Sequence, residues 1–277
     1  MKISPRTLLA AALLTALPMG GALACTISAW NGTGSATSSD AGGPTDGFAR
    51  YSGVCALAVD SGKYVVDNSP SNEGVYRARF YVLTRAVASP VTVFKATATD
   101  NGGAAAATLS AEFNGSALSF TQNGNAVGSP ITGLLADRWY SVEIFYKAGA
   151  AFEATVAGAG TDTPIGTVNV TTGIGSGTIG SAVLGVSSGT ISGSTKFGFD
   201  AFESTRSEDT VIGRLCRGDA TGDGALNIQD RIRLNNELNS FGANAAPGQP
   251  DCNENGTINT QDRICLNNRI ANFDSCQ

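Results

Sequence analysis

The sequence predicts a mainly β protein in which an antiparallel β-sandwich is followed by a small α-helical module. Three observations lead to this prediction. The chain of 277 residues contains 35 glycines but only 15% charged residues, a composition typical of short strands joined by tight turns. Its middle part alternates apolar and polar residues, and its C-terminal part contains an internal repeat with helical spacing.

Segments with a period of two residues follow one another through the middle of the chain. This period predicts half-buried strands, and Asn-Gly pairs at 101–102, 114–115 and 123–124 predict turns. Residues 26–71, rich in Gly, Ser, Asp and Pro, predict irregular cover with one or two strands. Because no helical period interrupts the series, we expect two packed antiparallel sheets. The predicted strands are 75–83, 91–96, 107–113, 117–120, 139–147, 152–156, 166–170, 182–186 and 196–202.

The order of these features resembles the concanavalin A-like and laminin-G-like jelly rolls over residues 50–205. The resemblance is carried by the strand that begins at Trp139 after a loop, by the hairpin that follows at Phe152, and by the closing sequence Gly198-Phe199-Asp200-Ala201-Phe202. Members of these families commonly bind carbohydrate or protein, and some hydrolyse glycans. The resemblance therefore implies a jelly-roll sandwich with a binding role.

The N-terminus has the pattern of a secretion signal over residues 1–24. Lys2 and Arg6 precede an apolar run, and Ala22-Leu23-Ala24 forms a small-x-small cleavage site. We therefore expect a secreted or cell-surface protein whose mature chain begins at Cys25. A cysteine there is also the lipid-attachment residue of bacterial lipoproteins, but Ala22 stands where such signals usually carry Leu.

Composition and cysteine content narrow the class of protein further. There is no second long apolar segment and no basic run, and the net charge is −5, which argues against an integral membrane protein and against nucleic acid as a partner. The absence of histidine excludes Ser-His-Asp and Cys-His catalysis and His-ligated zinc. Six cysteines in an exported chain predict disulfides. The expected pairs are Cys25 with Cys55 and, among three connectivities open to the other four, Cys216 with Cys276 and Cys252 with Cys265.

A twelve-residue loop occurs twice in the C-terminal part, starting at Asp219 and at Asp251. Each copy places oxygen-bearing side chains at loop positions 1, 3, 5, 9 and 12 and Gly at position 6, and its position 7 would supply a carbonyl, which is the ligand spacing of a calcium loop. The alternative is a pair of Asx-rich turns without an ion. Two Ca²⁺ ions are predicted, with the ligands Asp219, Thr221, Asp223, Ala225, Asn227 and Asp230 in the first loop and Asp251, Asn253, Asn255, Thr257, Asn259 and Asp262 in the second.

The two loops belong to a duplication with a period of 32 residues, in which residues 219–241 and 251–273 are identical at eleven of twenty-three positions. A helix is predicted after each loop, with apolar residues at i, i+4 and i+7 that should face the other helix. The second loop has fewer carboxylates and is predicted to bind calcium more weakly. Glu254, at its position 4, is expected to point away from the ion. The apolar stripes are Leu234, Leu238 and Phe241, and Leu266, Ile270 and Phe273.

This arrangement is similar to a type I dockerin over residues 216–276: two loops, no helix before the first, one helix after each, and Asp rather than Glu at position 12. The resemblance implies calcium binding and docking to a cohesin-like protein. The familiar Ser-Thr and Lys-Arg recognition pairs are absent, so no well-known cohesin type is implied. The corresponding residues are Ile228-Gln229, Asn235-Asn236, Thr260-Gln261 and Asn267-Asn268, which with Arg231, Ile232, Arg263 and Ile264 form the expected partner surface.

Paired carboxylates can hydrolyse glycosides without histidine. Glu143, Asp200 and Glu203 are candidates, but no Glu-x-Asp-x-x-Glu cluster is present. Glu143 fits an ordinary surface residue, and the resemblance to laminin-G-like folds implies a structural role for Asp200. We therefore predict a non-catalytic sandwich; if the protein is an enzyme, it is a glycoside hydrolase.

Several aromatic side chains could stack on sugar rings or belong to the core. Trp30 could be an exposed platform or part of the N-terminal cover. The remaining candidates are Tyr76, Tyr81, Trp139, Tyr140 and Tyr146.

The predicted organisation is a signal peptide (1–24), a β-sandwich (25–206), a linker (207–215) short enough for the domains to touch, and a calcium-binding domain (216–277). The predicted function is that of a secreted, non-catalytic binding protein that docks a protein through its C-terminal domain and binds carbohydrate or a surface through its sandwich. Two alternatives are a component of extracellular polysaccharide degradation and a purely structural protein stabilised by calcium.

Overall fold

The computed structural model of the protein describes residues 25–30, 34–98 and 107–276. They form an antiparallel β-sandwich followed by a small module with two helices, so the predicted fold class is confirmed. The predicted signal peptide and the predicted turn at 101–102 lie outside the described residues.

The described part of the sandwich contains fourteen strands and two short 3₁₀ helices, Ser38–Asp40 and Pro44–Asp46. The strands are β1 (Ala41–Gly42), β2 (Ala56–Val59), β3 (Tyr64–Asp67), β4 (Val75–Leu83), β5 (Val87–Thr97), β6 (Ala107–Phe113), β7 (Ala117–Gln122), β8 (Asn125–Ala126), β9 (Ile131–Thr132), β10 (Trp139–Lys147), β11 (Ala151–Gly158), β12 (Pro164–Val170), β13 (Ser181–Ile191) and β14 (Phe197–Thr205).

The strands form two sheets in which neighbours run antiparallel. The first sheet has the order β1-β2-β14-β4-β10-β11-β12, and the second has the order β3-β13-β5-β6-β7-β8, with β9 also paired to β7. Strands from both ends of the sequence are therefore neighbours, since β14 lies between β2 and β4. The chain changes from one sheet to the other at several connections, such as β2 to β3 and β13 to β14, as in a jelly roll.

The two sheets enclose one apolar core. Phe80 stacks on Phe94 with ring centroids 5.3 Å apart, and Phe120 packs on Phe152 at 5.5 Å, so that each pair joins the first sheet to the second. Six aromatic residues were considered for sugar stacking, and all of them except Trp30 are buried. The interpretation of these residues as sugar platforms is therefore wrong, because side chains in the packed interior cannot reach a sugar. The five residues are Tyr76, Tyr81, Trp139, Tyr140 and Tyr146.

The C-terminal module, which we define as residues 216–276, contains α1 (Ile228–Asn239) and α2 (Thr260–Ala271). Leu234 and Leu266 are buried in its small core, as predicted. Phe241 and Phe273 were expected to extend the same stripes, but their exposed fractions are 92% and 93%. That prediction is wrong because each helix ends before its Phe, where a positive φ (51° and 57°) turns the chain away from the helix.

Three disulfides connect all six cysteines in the predicted pairs. Cys25 is joined to Cys55 at the start of the sandwich, which uses the sulfur atom that lipid attachment would require. Cys216–Cys276 joins the two ends of the module, and Cys252–Cys265 joins the second loop to α2. No helix among the described residues has the length and hydropathy needed to span a membrane.

The module packs on the outer face of the first sheet. Tyr51, Tyr81, Leu83 and Trp139 form a second, smaller apolar cluster there, with Leu215 packed against it. The ring of Tyr51 stacks on that of Tyr81 with centroids 3.6 Å apart. The N–H of Trp139 also donates to the carbonyl of Glu254 in the module at 2.9 Å, so the two parts of the chain touch.

The segment 206–215 crosses the same face on its way to the module and is held by Glu143. The carboxylate of Glu143 accepts hydrogen bonds from the N–H groups of Ile212 (3.2 Å) and Gly213 (2.8 Å) and pairs with Arg77 at 2.9 Å. The guanidinium of Arg79 donates to the carbonyl of Gly213. The interpretation of Glu143 as an ordinary surface residue is therefore wrong, because this side chain anchors the segment.

Candidate metal centre

Three carboxylates of the first loop converge. Asp219, Asp223 and Asp230 each offer an oxygen that lies within 4.8 Å of the others. Asp219 and Asp230 are buried, whereas Asp223 is exposed. The loop bends around Asp219, whose carboxylate accepts the N–H groups of Gly222 (2.7 Å) and Gly224 (2.8 Å). Close carboxylates of this kind repel one another unless a cation or proton lies between them.

The remaining side chains of the first loop are divided between the cluster and the helix. The Thr221 hydroxyl donates to Asp230 at 2.8 Å, which places it at the cluster. The side-chain oxygen of Asn227 instead accepts the N–H of Gln229 at 2.7 Å and caps α1. Position 9 of such loops often reaches the ion through a water molecule, and this geometry agrees with that role. At position 7 the N–H of Ala225 donates to Asp223.

The second loop is built around two buried carboxylates. Asp251 accepts the N–H of Gly256 at 2.7 Å, and Asp262 accepts the N–H groups of Asn253 (3.1 Å) and Asn259 (2.8 Å). Burial, followed by the negative charge of Asp262, raises the pKa of Asp251 well above its ordinary value. Burial also raises the pKa of Asp262. Two such groups favour a positive ion beside them.

Amide side chains complete the second loop. The side-chain oxygen of Asn255 accepts the N–H of Thr257 at 2.9 Å, and that of Asn253 accepts the N–H of Asn255 at 3.1 Å. Asn259 caps α2 through the N–H of Gln261, as Asn227 does for α1. The donor atoms of both loops are thus oxygens, and all cysteines are in disulfides. This set fits a hard cation such as Ca²⁺ better than zinc.

Glu254, at position 4 of the second loop, makes contacts that the sequence did not predict. It is fully buried, and its carboxylate accepts hydrogen bonds from the hydroxyl of Tyr51 (2.7 Å) and the N–H of Gly160 (2.9 Å) and pairs with Arg214. Its carbonyl accepts the N–H of Trp139 at 2.9 Å. The second loop therefore forms part of the contact with the sandwich.

Two further ion pairs join the module to the sandwich. Arg50 and Glu237 lie 2.6 Å apart and are both buried. On the other side, Asp162 accepts from Arg217 (3.1 Å) and Arg269 (3.2 Å) of the module. Burial alone would raise the pKa of Asp162, but its hydrogen bond to Arg217 and the charges of both arginines lower it overall.

The surface expected to bind a partner is accessible. Exposed fractions are 44% for Ile228, 47% for Ile232 and 58% for Ile264, which are high for large apolar side chains. Arg231 and Arg263 are exposed as well. The polar members of this surface are exposed (Gln229, Asn236, Thr260, Gln261 and Asn268) or partly exposed (Asn235 and Asn267).

The other two candidate carboxylates of the sandwich also make structural contacts. Asp200 accepts the N–H groups of Tyr51 (2.6 Å), Ser52 (2.9 Å) and Ala201 (2.7 Å). Desolvation of the carboxylate raises its pKa to about 6 despite these bonds. Asp200 thus fixes the loop that carries Tyr51, in agreement with the structural role predicted for it. Glu203 is largely exposed and pairs with Arg79 at 2.9 Å.

An open pocket of about 600 Å³ lies at one edge of the sandwich, beside Trp30. The Trp30 ring lies 5.1 Å from that of Phe202, and both are partly exposed. The polar residues Asp67 and Ser69 line the same pocket.

Comparison with solved structures finds sandwiches of low sequence identity. The receptor-binding domain of botulinum neurotoxin type G has a TM-score of 0.38 and 11% identity over 55% of this chain, and the chain covers 39% of that domain. Family 7 alginate lyase A1-II′ has a TM-score of 0.39 and 14% identity over 55% of this chain and 78% of the lyase. The exoplasmic/lumenal domain of VIP36, in its Ca²⁺- and Man2-bound form, has a TM-score of 0.41 and 8% identity over 57% of this chain and 78% of that domain. At these values the likeness does not extend to function.

Comparison with curated protein sequences finds no match. A family model does match the C-terminal module, which contains the two loops and two helices described above. Residues 217–271 of this chain match the dockerin type I domain.

Proposed function

We propose that this chain is an exported binding protein whose C-terminal domain holds two Ca²⁺ ions and docks a cohesin-like protein. One observation carries the proposal: the segment that matches the dockerin type I domain combines two oxygen-lined loops with an exposed helical surface. The division into a signal peptide (1–24), a sandwich (25–206), a linker (207–215) and a docking domain (216–277) belongs to this proposal.

The calcium ligands are those named from the sequence in each loop. The first loop supplies three carboxylates and the second supplies two, so the first binds more tightly if ligand charge alone decides. When bound, Ca²⁺ neutralises the carboxylates and stabilises the folded loops. Isothermal titration of the chain from Cys25 onward should show two ions. Asp230→Ala and Asp262→Ala should each remove one, and an absence of binding heat would overturn this part of the proposal.

Docking is tested with the exposed isoleucines. Ile232→Glu with Ile264→Glu places charges on the outer faces of both helices without touching the loops. A panel of immobilised cohesin domains serves as the probe, in calcium and in EDTA. Calcium-dependent capture that the double variant abolishes supports docking through this surface. Leu135→Glu, at a sandwich residue that is 58% exposed, is the matched control and should bind like the wild type.

A second function, carbohydrate binding by the sandwich, is favoured by the pocket beside Trp30. The Trp30 and Phe202 rings offer an apolar surface for a sugar ring, and Asp67 and Ser69 offer hydrogen-bond partners for its hydroxyls. Affinity electrophoresis against soluble polysaccharides should show retardation that Trp30→Ala abolishes. Equal mobility of the wild type and Trp30→Ala in every polysaccharide would contradict carbohydrate binding at this pocket.

We further propose that the sandwich does not catalyse. Support comes from the three candidate carboxylates, each of which is engaged by an arginine or by backbone N–H groups. The test is product formation from a panel of polysaccharides. Activity that is lost in Glu143→Gln or Glu203→Gln would support the alternative, a polysaccharide-degrading component. A chain that binds calcium but neither a cohesin nor a glycan would support a purely structural role.

A further inference from the structure

Glu254 adopts a backbone conformation that is unfavourable for a glutamate. Its φ is +57°, in the left-handed region, whereas the equivalent residue of the first loop is Gly222 with φ +76°. A residue with a side chain usually costs about 1–2 kcal/mol in this region, and burial of a carboxylate adds a further cost. The chain therefore keeps a glutamate where the repeat itself shows that glycine fits, which points to a function for the side chain.

The contacts of Glu254 place it in the loop and in the interface at once. Toward the loop, its N–H donates to the carbonyl of Asp251 at 3.1 Å. Toward the sandwich, its carboxylate is held by Tyr51, Gly160 and Arg214, and its carbonyl by the N–H of Trp139. Moving Glu254 would thus displace a residue that stands between the predicted ligands Asn253 and Asn255 and is hydrogen-bonded to Asp251, the first ligand of the loop.

A second loop position is fixed by the sandwich as well. Gly256, at position 6, has φ +79°, and a Cβ atom there would lie 2.9 Å from a methyl carbon of Leu83. The N–H of Gly256 is one of two backbone donors, with that of Asn255, that orient the carboxylate of Asp251. The first loop lacks this support: a Cβ atom on Gly224, the equivalent of Gly256, would have nothing within 4 Å, and Gly222, the equivalent of Glu254, lies against Gly248 of the same module. The sandwich therefore supports the second loop, whereas the first loop is supported by the module itself.

We infer that Glu254 is a positioning residue that couples calcium binding in the second loop to the docking of the module on the sandwich. The inference rests on the calcium binding proposed above. The sandwich holds the loop in its binding conformation, which raises its affinity beyond what two carboxylates would give. By thermodynamic reciprocity, calcium in the second loop strengthens the contact between module and sandwich by the same factor.

The first test measures calcium affinity in the full chain from Cys25 onward. Asp230→Ala silences the first loop, so that the titration reports the second. In this background Glu254→Gly gives the second loop the residue that the first loop has, which relieves strain but removes the contacts. We expect calcium affinity to fall on the order of tenfold. Glu254→Gln, which keeps most of the hydrogen-bonding shape, should lose less. In the converse background, Asp262→Ala, the same Glu254→Gly change should leave the first loop unaffected.

The second test measures docking through Trp139, which lies beneath the module. Trp30→Phe makes Trp139 the single tryptophan, so its emission reports exposure of this face. We expect EDTA to shift the emission to longer wavelength, and Glu254→Gly to need about ten times more calcium to reverse the shift. Calcium uptake by the second loop with unchanged Trp139 emission, or equal affinities of wild type and Glu254→Gly, would overturn the coupling alone. Absence of uptake would overturn the proposed calcium binding and the coupling with it.

Discussion

Glu237 and Arg269 occupy equivalent positions in the two repeats, carry opposite charges, and each form an ion pair with the β-sandwich. Glu237 pairs with Arg50 and Arg269 with Asp162. A duplicated module presents two similar faces, and exchange of its repeats would bring like charges together at both contacts. This charge difference therefore specifies one orientation of the module on the sandwich.

We predict that loss of Arg50 is strongly destabilising. Both partners of its ion pair with Glu237 are buried, so Arg50→Ala leaves an unpaired carboxylate in the interface. Removal of one partner of a buried pair costs about 3–5 kcal/mol. The measurement is denaturant unfolding in saturating calcium. Lys147→Ala, which breaks an exposed pair with Glu208, is the control and should cost at most about 1 kcal/mol. Equal effects of the two variants would contradict this assignment.

The pKa of Asp200 predicts a pH dependence of stability. Desolvation raises this pKa from 3.8 to about 6 in the folded protein, so between these values the folded state binds the proton more tightly than the unfolded chain. The stabilisation is complete below pH 4 and is lost as the pH rises to about 6. Asp200 is partly exposed, so solvent reduces the effect of its ionisation on stability. We therefore expect a loss of about 2 kcal/mol in the free energy of unfolding, which is less than the full pKa shift would give.

The check is the difference in unfolding free energy between wild type and Asp200→Asn, measured from pH 4 to pH 7. The variant cannot ionise, so the difference should change in its favour as the pH rises. A constant difference would show that the carboxylate ionises at its ordinary pKa.

The bounds of a sandwich strand could be predicted where the alternation of apolar and polar residues runs through the whole strand. The bounds of β4, β6 and β10 agree with the predicted 75–83, 107–113 and 139–147, because alternate residues along each strand are apolar and lie in the main core. The N-terminal region was predicted to contain one or two strands, whereas its described residues contain three. β1 is too short to show alternation, and its pairing with β2 is what defines it.

The interface could not be predicted because it joins residues that are distant in sequence. Tyr51 and Glu254 are separated by 203 positions, and no local pattern relates them. A signal was present, however, in the duplication. Gly222 and Glu254 differ, as do Glu237 and Arg269, and in the structure Glu254, Glu237 and Arg269 contact the sandwich. Divergence within a repeat can thus indicate which side of a module is buried.

We predict that Glu143 protects the segment 206–215 from proteolysis. Its carboxylate holds two backbone N–H groups of this segment, next to Arg214. Glu143→Ala should release the segment locally and increase the rate of tryptic cleavage after Arg206 and Arg214 several-fold, as followed by mass spectrometry. Glu112→Ala, in the second sheet, is the control and should be cleaved like the wild type. Unchanged cleavage of Glu143→Ala would mean that other contacts suffice.

The last prediction concerns the disulfides of the module. Cys216–Cys276 closes a segment of 60 residues and Cys252–Cys265 one of 13. In the chain-entropy account, their removal costs about 4 and about 3 kcal/mol, respectively. Cys252 is also fully buried in the module core, so its replacement adds a packing loss of about 1 kcal/mol or more. We therefore expect C216A/C276A and C252A/C265A to destabilise the helices by similar amounts, as measured by far-UV circular dichroism during denaturant unfolding in calcium. A much smaller effect of C252A/C265A would mean that calcium, rather than the disulfide, holds the second loop against α2.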